Sequence, residues 1–174
     1  RIKAKSGRNL LGAIGIGIVL GGLLLLSLLV NKDLFMLFAA VLLGISSVEL
    51  ATALQAMGRR VPRIPTGIVA VGAVPIAYYF GILAALLFAA VGVVVVVLWR
   101  LVEIKRDYHA TADVSLRKDF LAAAFVQAYV TVLGSFAVAL VAKPNGQWWT
   151  LAFLIIVVSV DTGAYVSGLN FGKH

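Results

Sequence analysis

No cysteine occurs among the 174 residues, which excludes a disulfide framework, a thiolate metal site and a cysteine nucleophile. Charge is scarce: 13% of residues are Asp, Glu, Lys or Arg, where a soluble domain carries about 25%. Acidic residues are scarcer still, seven against fifteen Lys and Arg. The length would suit one soluble domain, but this composition excludes it. Neither a nucleophile triad nor zinc-ligand spacing is present. Low-complexity segments and internal repeats are also missing.

What is present is apolar. Hydrophobic residues make up 62% of the chain and recur in runs near 20 residues, which predicts an all-α, polytopic membrane protein. Six transmembrane helices are expected, at about 10–30, 34–57, 65–80, 82–99, 120–141 and 148–168. The stretch from Pro65 to Trp99 would be roughly 52 Å long as one helix, against a hydrocarbon core of about 30 Å. It is therefore expected to break near Phe80–Gly81, with Pro75 kinking the first half. The chain opens on Arg1 rather than Met, which reads as a start missing or removed. The apolar run behind RIKAKSGRNL is too long for a signal-peptide core and reads as a retained first span.

The basic residues set an orientation. Thirteen of the fifteen fall at the two ends of the chain or in the stretches 58–64 and 100–119; only Lys32 and Lys143 fall in the alternate connections. The positive-inside rule then places both chain ends and both basic loops in the cytoplasm, with the helices in the cell inner (plasma) membrane. Distributed this way, the net charge of +8 speaks for membrane loops and against nucleic acid as a partner. The mixed-charge stretch 103–119, EIKRDYHATADVSLRKD, is expected to be solvated, His109 included. Trp148 and Trp149 are expected at the outer interface and Trp99 at the inner one.

Ionisable groups inside a bilayer are costly, and so become functional candidates. Glu49 and Asp161 are the two, at roughly 22 Å and 20 Å from the outer ends of their helices. Gln127 comes roughly 12 Å from the inner end of its own. A common depth for three polar groups suits a pocket open to the cytoplasm. Each also has a plainer reading: Glu49 as a paired or snorkelling carboxyl, Gln127 as an interhelical hydrogen-bonding group, Lys173 and His174 as flanking charges. Asp161, Tyr165 and Gly168 share one helix face, flanked by Thr162 and Ser167. The glycines of the first span, Gly12 to Gly22, read as a small-residue packing face. GAIGIG has no preceding strand and is not a dinucleotide loop. From the residues alone, three readings stay open: a site of unnamed chemistry, a transporter or channel subunit with Glu49 and Asp161 as an ion or proton relay, and a noncatalytic scaffold.

The closing segment DTGAYVSGLNFGKH resembles the phosphatidate cytidylyltransferase (CDP-diacylglycerol synthase) family. Asp161, Gly163, Tyr165, Gly168, Phe171, Gly172, Lys173 and His174 match that family's motif in order. Val160 departs from it, standing where the family has a small residue. GRNL before the first span, VEL around Glu49, RIP at 63–65 and LWRL at 98–101 agree more loosely and resemble the actinobacterial branch. The resemblance implies about nine helices, a homodimer, and transfer of a cytidylyl group from CTP to phosphatidic acid with Mg2+. It implies substrate-binding roles for Asp161, Thr162, Tyr165, Lys173, His174 and Glu49, with Asp161 near the metal, directly or through water. The family's main metal-binding signature, H-G-G-x-x-D-R-x-D, follows the matched motif and is not in this sequence. The catalytic residues are therefore expected downstream of His174, and these 174 residues alone are expected to be inactive.

Overall fold

The computed structural model describes residues 10–106 and 115–172. Arg1, Lys3, Lys5, Arg8, His109, Lys173 and His174 lie outside the described residues. All regular structure among the described residues is helical: α1 (Leu10–Val30), α2 (Lys32–Ala56), α3 (Arg63–Arg106), α4 (Leu116–Ala142) and α5 (Gly146–Phe171). Helices α2 to α5 are each long and apolar enough to cross a membrane.

Helix α3 is two limbs. Gly81, at φ 84° and ψ 177°, occupies a backbone region open essentially to glycine alone. It separates 63–80 from 82–106, and the second limb folds back on the first. A Cβ at Gly92 would collide with Val69 Cγ1, and one at Gly72 would lie 3.0 Å from the Phe88 ring. Pairs whose numbers rise on one limb as they fall on the other define an antiparallel hairpin. Pro75 sits inside the first limb without ending it. Helix α2 runs antiparallel to that limb, with Gly44 against Val71 and Val48 against Gly67. Between α1 and α2 the chain turns at a single extended residue, Asn31, whose side chain accepts from the Asp33 backbone N–H at 2.8 Å.

The packing has the polarity expected where the surroundings are apolar. Small residues fill the contacts: Ala51, Ala70, Ala73 and Ala77 are fully buried. Large aliphatics and aromatics point outward, among them Leu83, Leu87, Phe136 and Phe153. In lipid, burying large apolar groups brings no hydrophobic gain, so close backbone approach and van der Waals contact select small residues for the interfaces. One core cluster, around Leu28, Phe35, Val74, Ala85 and Val141, lies toward the turns at Asn31, Gly81 and Lys143. There Lys32 Nζ donates to the Lys143 carbonyl at 2.7 Å. A second cluster, around Ala51, Val61, Val96 and Val126, lies toward the opposite end, where the arginines gather.

Within α4 a π-helical turn spans Gln127–Val132. It turns Gln127 and Thr131 into the interior, while Phe125 and Tyr129 stack outside with ring centroids 5.4 Å apart. Neither amide atom of Gln127 finds a hydrogen-bond partner among the described residues, nor do the hydroxyls of Ser47 and Thr131.

A Cβ at position 81 forces a backbone conformation that side chains avoid. Gly81→Ala is therefore expected to lower stability by about 1–3 kcal/mol. Thermal unfolding in detergent, followed by helical circular dichroism, measures the effect; an unchanged midpoint would argue against the turn as described.

Candidate functional site

The hairpin at Gly81 brings the two ends of α3 together. Arg63, Ile64 and Pro65 open the first limb, and Trp99, Arg100, Glu103 and Arg106 close the second. With Gln55 and the connection Arg60–Pro62 they line a cleft of about 640 Å³. Four arginines and one glutamate face it, so the lining is strongly basic.

An ion pair fixes the back of this cleft. Arg100 Nε donates to Asp119 Oδ2 at 3.0 Å, and both side chains are more than nine-tenths buried. The other carboxylate oxygen of Asp119 accepts from the Arg60 backbone N–H at 2.9 Å. Asp119 lies in the first turn of α4, where a negative charge is favoured by the unpaired amides of the helix start. One carboxylate thus joins the α2–α3 connection, the end of α3 and the start of α4. Glu103 Oε2 is 3.5 Å from Arg100 Nη1, and Glu103 Oε1 accepts from the Trp99 indole at 3.1 Å. On the opposite wall Gln55 bridges two segments. Its amide donates to the Val61 carbonyl at 2.8 Å, and its oxygen accepts from Arg63 Nε at 2.9 Å. Arg100 Nη2 is buried without a hydrogen-bond partner among the described residues.

The expectation of a solvated 103–119 stretch fails at Asp119, which is buried. Tertiary packing is the reason: α3 stays helical to Arg106, and the antiparallel start of α4 lies against it. Spacing along the chain carries no sign of that pairing. The one local signal is an acidic residue in the first turn of a helix that starts after Ser115, which makes no side-chain capping bond.

The residues singled out from the sequence are distributed differently. Glu49 is exposed on α2 and lines an apolar groove between α2 and the first limb of α3. Asp161, Thr162 and Tyr165 lie on the second half of α5, which is exposed throughout from Ile155. Helix α5 packs on α1 and on α4 through its first half, where Thr150 is buried and Leu151 and Leu154 reach the core. Gln127 faces inward. No hydrogen bond or ion pair among the described residues links Glu49, Gln127 and Asp161, so the common depth does not join them into one pocket. No three His, Asp or Glu side chains among the described residues come together to hold a metal ion. Asp161 offers a single carboxylate, and these residues do not by themselves fit a magnesium centre.

Comparison with known proteins gives a consistent set. The profile of the Cytidylyltransferase family matches residues 12–174. A phosphatidate cytidylyltransferase of Mycobacterium leprae is 32% identical over 98% of this chain and 57% of its own length. Those of Mycobacterium bovis and Mycobacterium tuberculosis are 30% identical over 98% of this chain, and over 58% and 54% of their own lengths. The chain thus spans somewhat more than half the length of these relatives. No solved structure matches it significantly.

Removing one partner of a buried pair strands the other charge, at a cost of about 3–5 kcal/mol, whereas replacing both with apolar groups is often neutral. Asp119→Ala is expected to destabilise by about 3 kcal/mol. The double variant Arg100→Met/Asp119→Leu is expected to be more stable than Asp119→Ala. Unfolding midpoints of the three proteins check this ordering; a double variant no better than the single one contradicts the pairing.

Proposed function

The chain belongs to the Cytidylyltransferase family, and from that premise we propose that it forms part of the membrane portion of a phosphatidate cytidylyltransferase. The observation that carries the reading is the match along nearly the whole chain to relatives with that one activity. The reaction joins CTP and phosphatidic acid to give CDP-diacylglycerol and pyrophosphate. A phosphate oxygen of the lipid attacks the α-phosphorus of CTP, the bond to the β-phosphate oxygen breaks, and pyrophosphate leaves. No covalent protein intermediate is needed, so the protein's task is to position two anions and offset their charge.

In this reading the bundle crosses the plasma membrane six times, the limbs of α3 counting separately, with its basic end in the cytoplasm. CTP arrives from that side, and the lipid phosphate lies at the same interface. Asp161, Thr162 and Tyr165 form one wall of the nucleotide pocket, Lys173 and His174 face phosphate charge at its rim, and Glu49 orients cationic groups. The second half of α5, exposed among the described residues, supports this, because a helix carrying Asp161, Thr162 and Tyr165 there has room for ligand or further protein. Magnesium belongs to the same proposal, but Asp161 alone does not hold it. A homodimer is the proposed assembly.

The test is magnesium- and CTP-dependent formation of CDP-diacylglycerol from phosphatidic acid by the full-length protein. Product is expected with the native sequence. Asp161→Ala is expected to reduce turnover at least about a hundredfold, the scale of losing one preorganised electrostatic group. Turnover that survives Asp161→Ala removes that residue from the site; a native protein without product overturns the proposed reaction.

A further inference from the structure

Two stretches noted in the sequence, Arg63-Ile64-Pro65 and Trp99-Arg100, are not part of the wall proposed for the nucleotide. They meet in the arginine cleft. A guanidinium presents a planar fork of donors that matches phosphate oxygens, and such charge-assisted bonds are the strong ones. Arg60, Arg63, Arg100 and Arg106 all line the cleft, opposed only by Glu103. Arg100 is 5% exposed, is held rigidly by Asp119, and keeps one buried nitrogen, Nη2, without a partner. A buried donor left unpaired is costly, and a bound anion would satisfy it.

The cleft does not stand alone. Ile64 also lines the apolar groove of about 760 Å³ that runs between α2 and the first limb of α3. Val41, Ile45, Val48, Ile68 and Val71 form its walls. Gly44 and Gly67 let the two helices close in along it; a Cβ there would lie 2.7 Å from Val71 and 2.9 Å from Val48. Glu49 is the groove's one charged lining residue. Its carboxylate repels a phosphate from the groove and favours its placement among the arginines.

We propose that cleft and groove form one binding site for a membrane lipid bearing a phosphate, with the phosphate among Arg60, Arg63, Arg100 and Arg106 and one acyl chain along the groove. A basic pocket continuous with an apolar channel complements both parts of such a molecule, whereas a free phosphate or a nucleotide uses only the first. The inference rests on the proposed reaction and deepens it, by assigning to its lipid substrate residues that lie apart from the Asp161 wall.

The test uses the full-length protein in detergent, with ligand binding read from shifts of the thermal unfolding midpoint. Probes are dioctanoyl phosphatidic acid, dioctanoylglycerol, inorganic phosphate and CTP. Phosphatidic acid is expected to raise the midpoint and dioctanoylglycerol to do so far less. In Arg63→Ala/Arg106→Ala, two exposed positions outside the buried pair, affinity for phosphatidic acid is expected to fall at least about tenfold. Ile68→Trp, at an outward groove position, is expected to weaken phosphatidic acid binding and leave the response to inorganic phosphate unchanged. Full affinity in the double arginine variant overturns the proposal. An ineffective Ile68→Trp, or a CTP response abolished by the arginine changes, identifies a free-phosphate or nucleotide site and overturns it too. CDP-diacylglycerol formation by the same preparations is read separately: lipid binding without product contradicts the transferase reading and leaves this site intact.

Discussion

The carboxylate of Asp119, buried where three segments meet, organises the basic end of the bundle. It holds the Arg100 guanidinium through one oxygen and the Arg60 backbone through the other. Taking two charges out of water is costly, and a buried pair compensates only when its geometry is good and its remaining groups are satisfied. Here most are: Glu103 lies beside Nη1, and Asp119 starts a helix. The pair therefore contributes position more than stability. It fixes where the second limb of α3 ends and where α4 begins, and thereby the width of the cleft.

That constraint acts on a bundle packed by small residues. Helices in contact through Ala and Gly come close but gain little from burying large groups, so each interface tolerates few changes of volume. Gly92 against Val69 and Gly134 against Leu43 are such contacts. The same close approach leaves grooves between helices on the outer surface. The groove bearing Glu49 is one, and a smaller one lies between α1 and α5, lined by Gly17, Gly21, Leu151 and Leu154. In a membrane these grooves face acyl chains, and one of them shares Ile64 with the arginine cleft.

Much of the helical plan was legible in the sequence. Run lengths located the apolar segments, and the excess length between Pro65 and Trp99 located the break that Gly81 makes. The asymmetry of Lys and Arg marked the end where the arginine cleft lies. What stayed hidden was which face of each helix looks inward. Helix rise gives the depth of Glu49, Gln127 and Asp161, but depth is one coordinate. Rotation about the helix axis is set by neighbours, and it sends Gln127 inward while Glu49 and Asp161 point out. The pairing of Arg100 with Asp119 was hidden for the same reason, since it arises where antiparallel helices meet. The loosely matched RIP and LWRL stretches were visible as motifs, but only folding brings them to one cleft.

The proposed reaction requires the two ends of the bundle to face opposite compartments, with the arginine cleft on the side that holds CTP. These 174 residues contain no cysteine, so once any cysteine elsewhere in the full-length protein is replaced this is directly measurable. Single cysteines at Met57, beside the basic connection, and at Lys143, in the opposite turn, can be labelled in membrane vesicles with an impermeant maleimide. The account predicts labelling of Met57→Cys only in inverted vesicles and of Lys143→Cys only in right-side-out ones. Labelling of both from one side, or the reverse pattern, would contradict it.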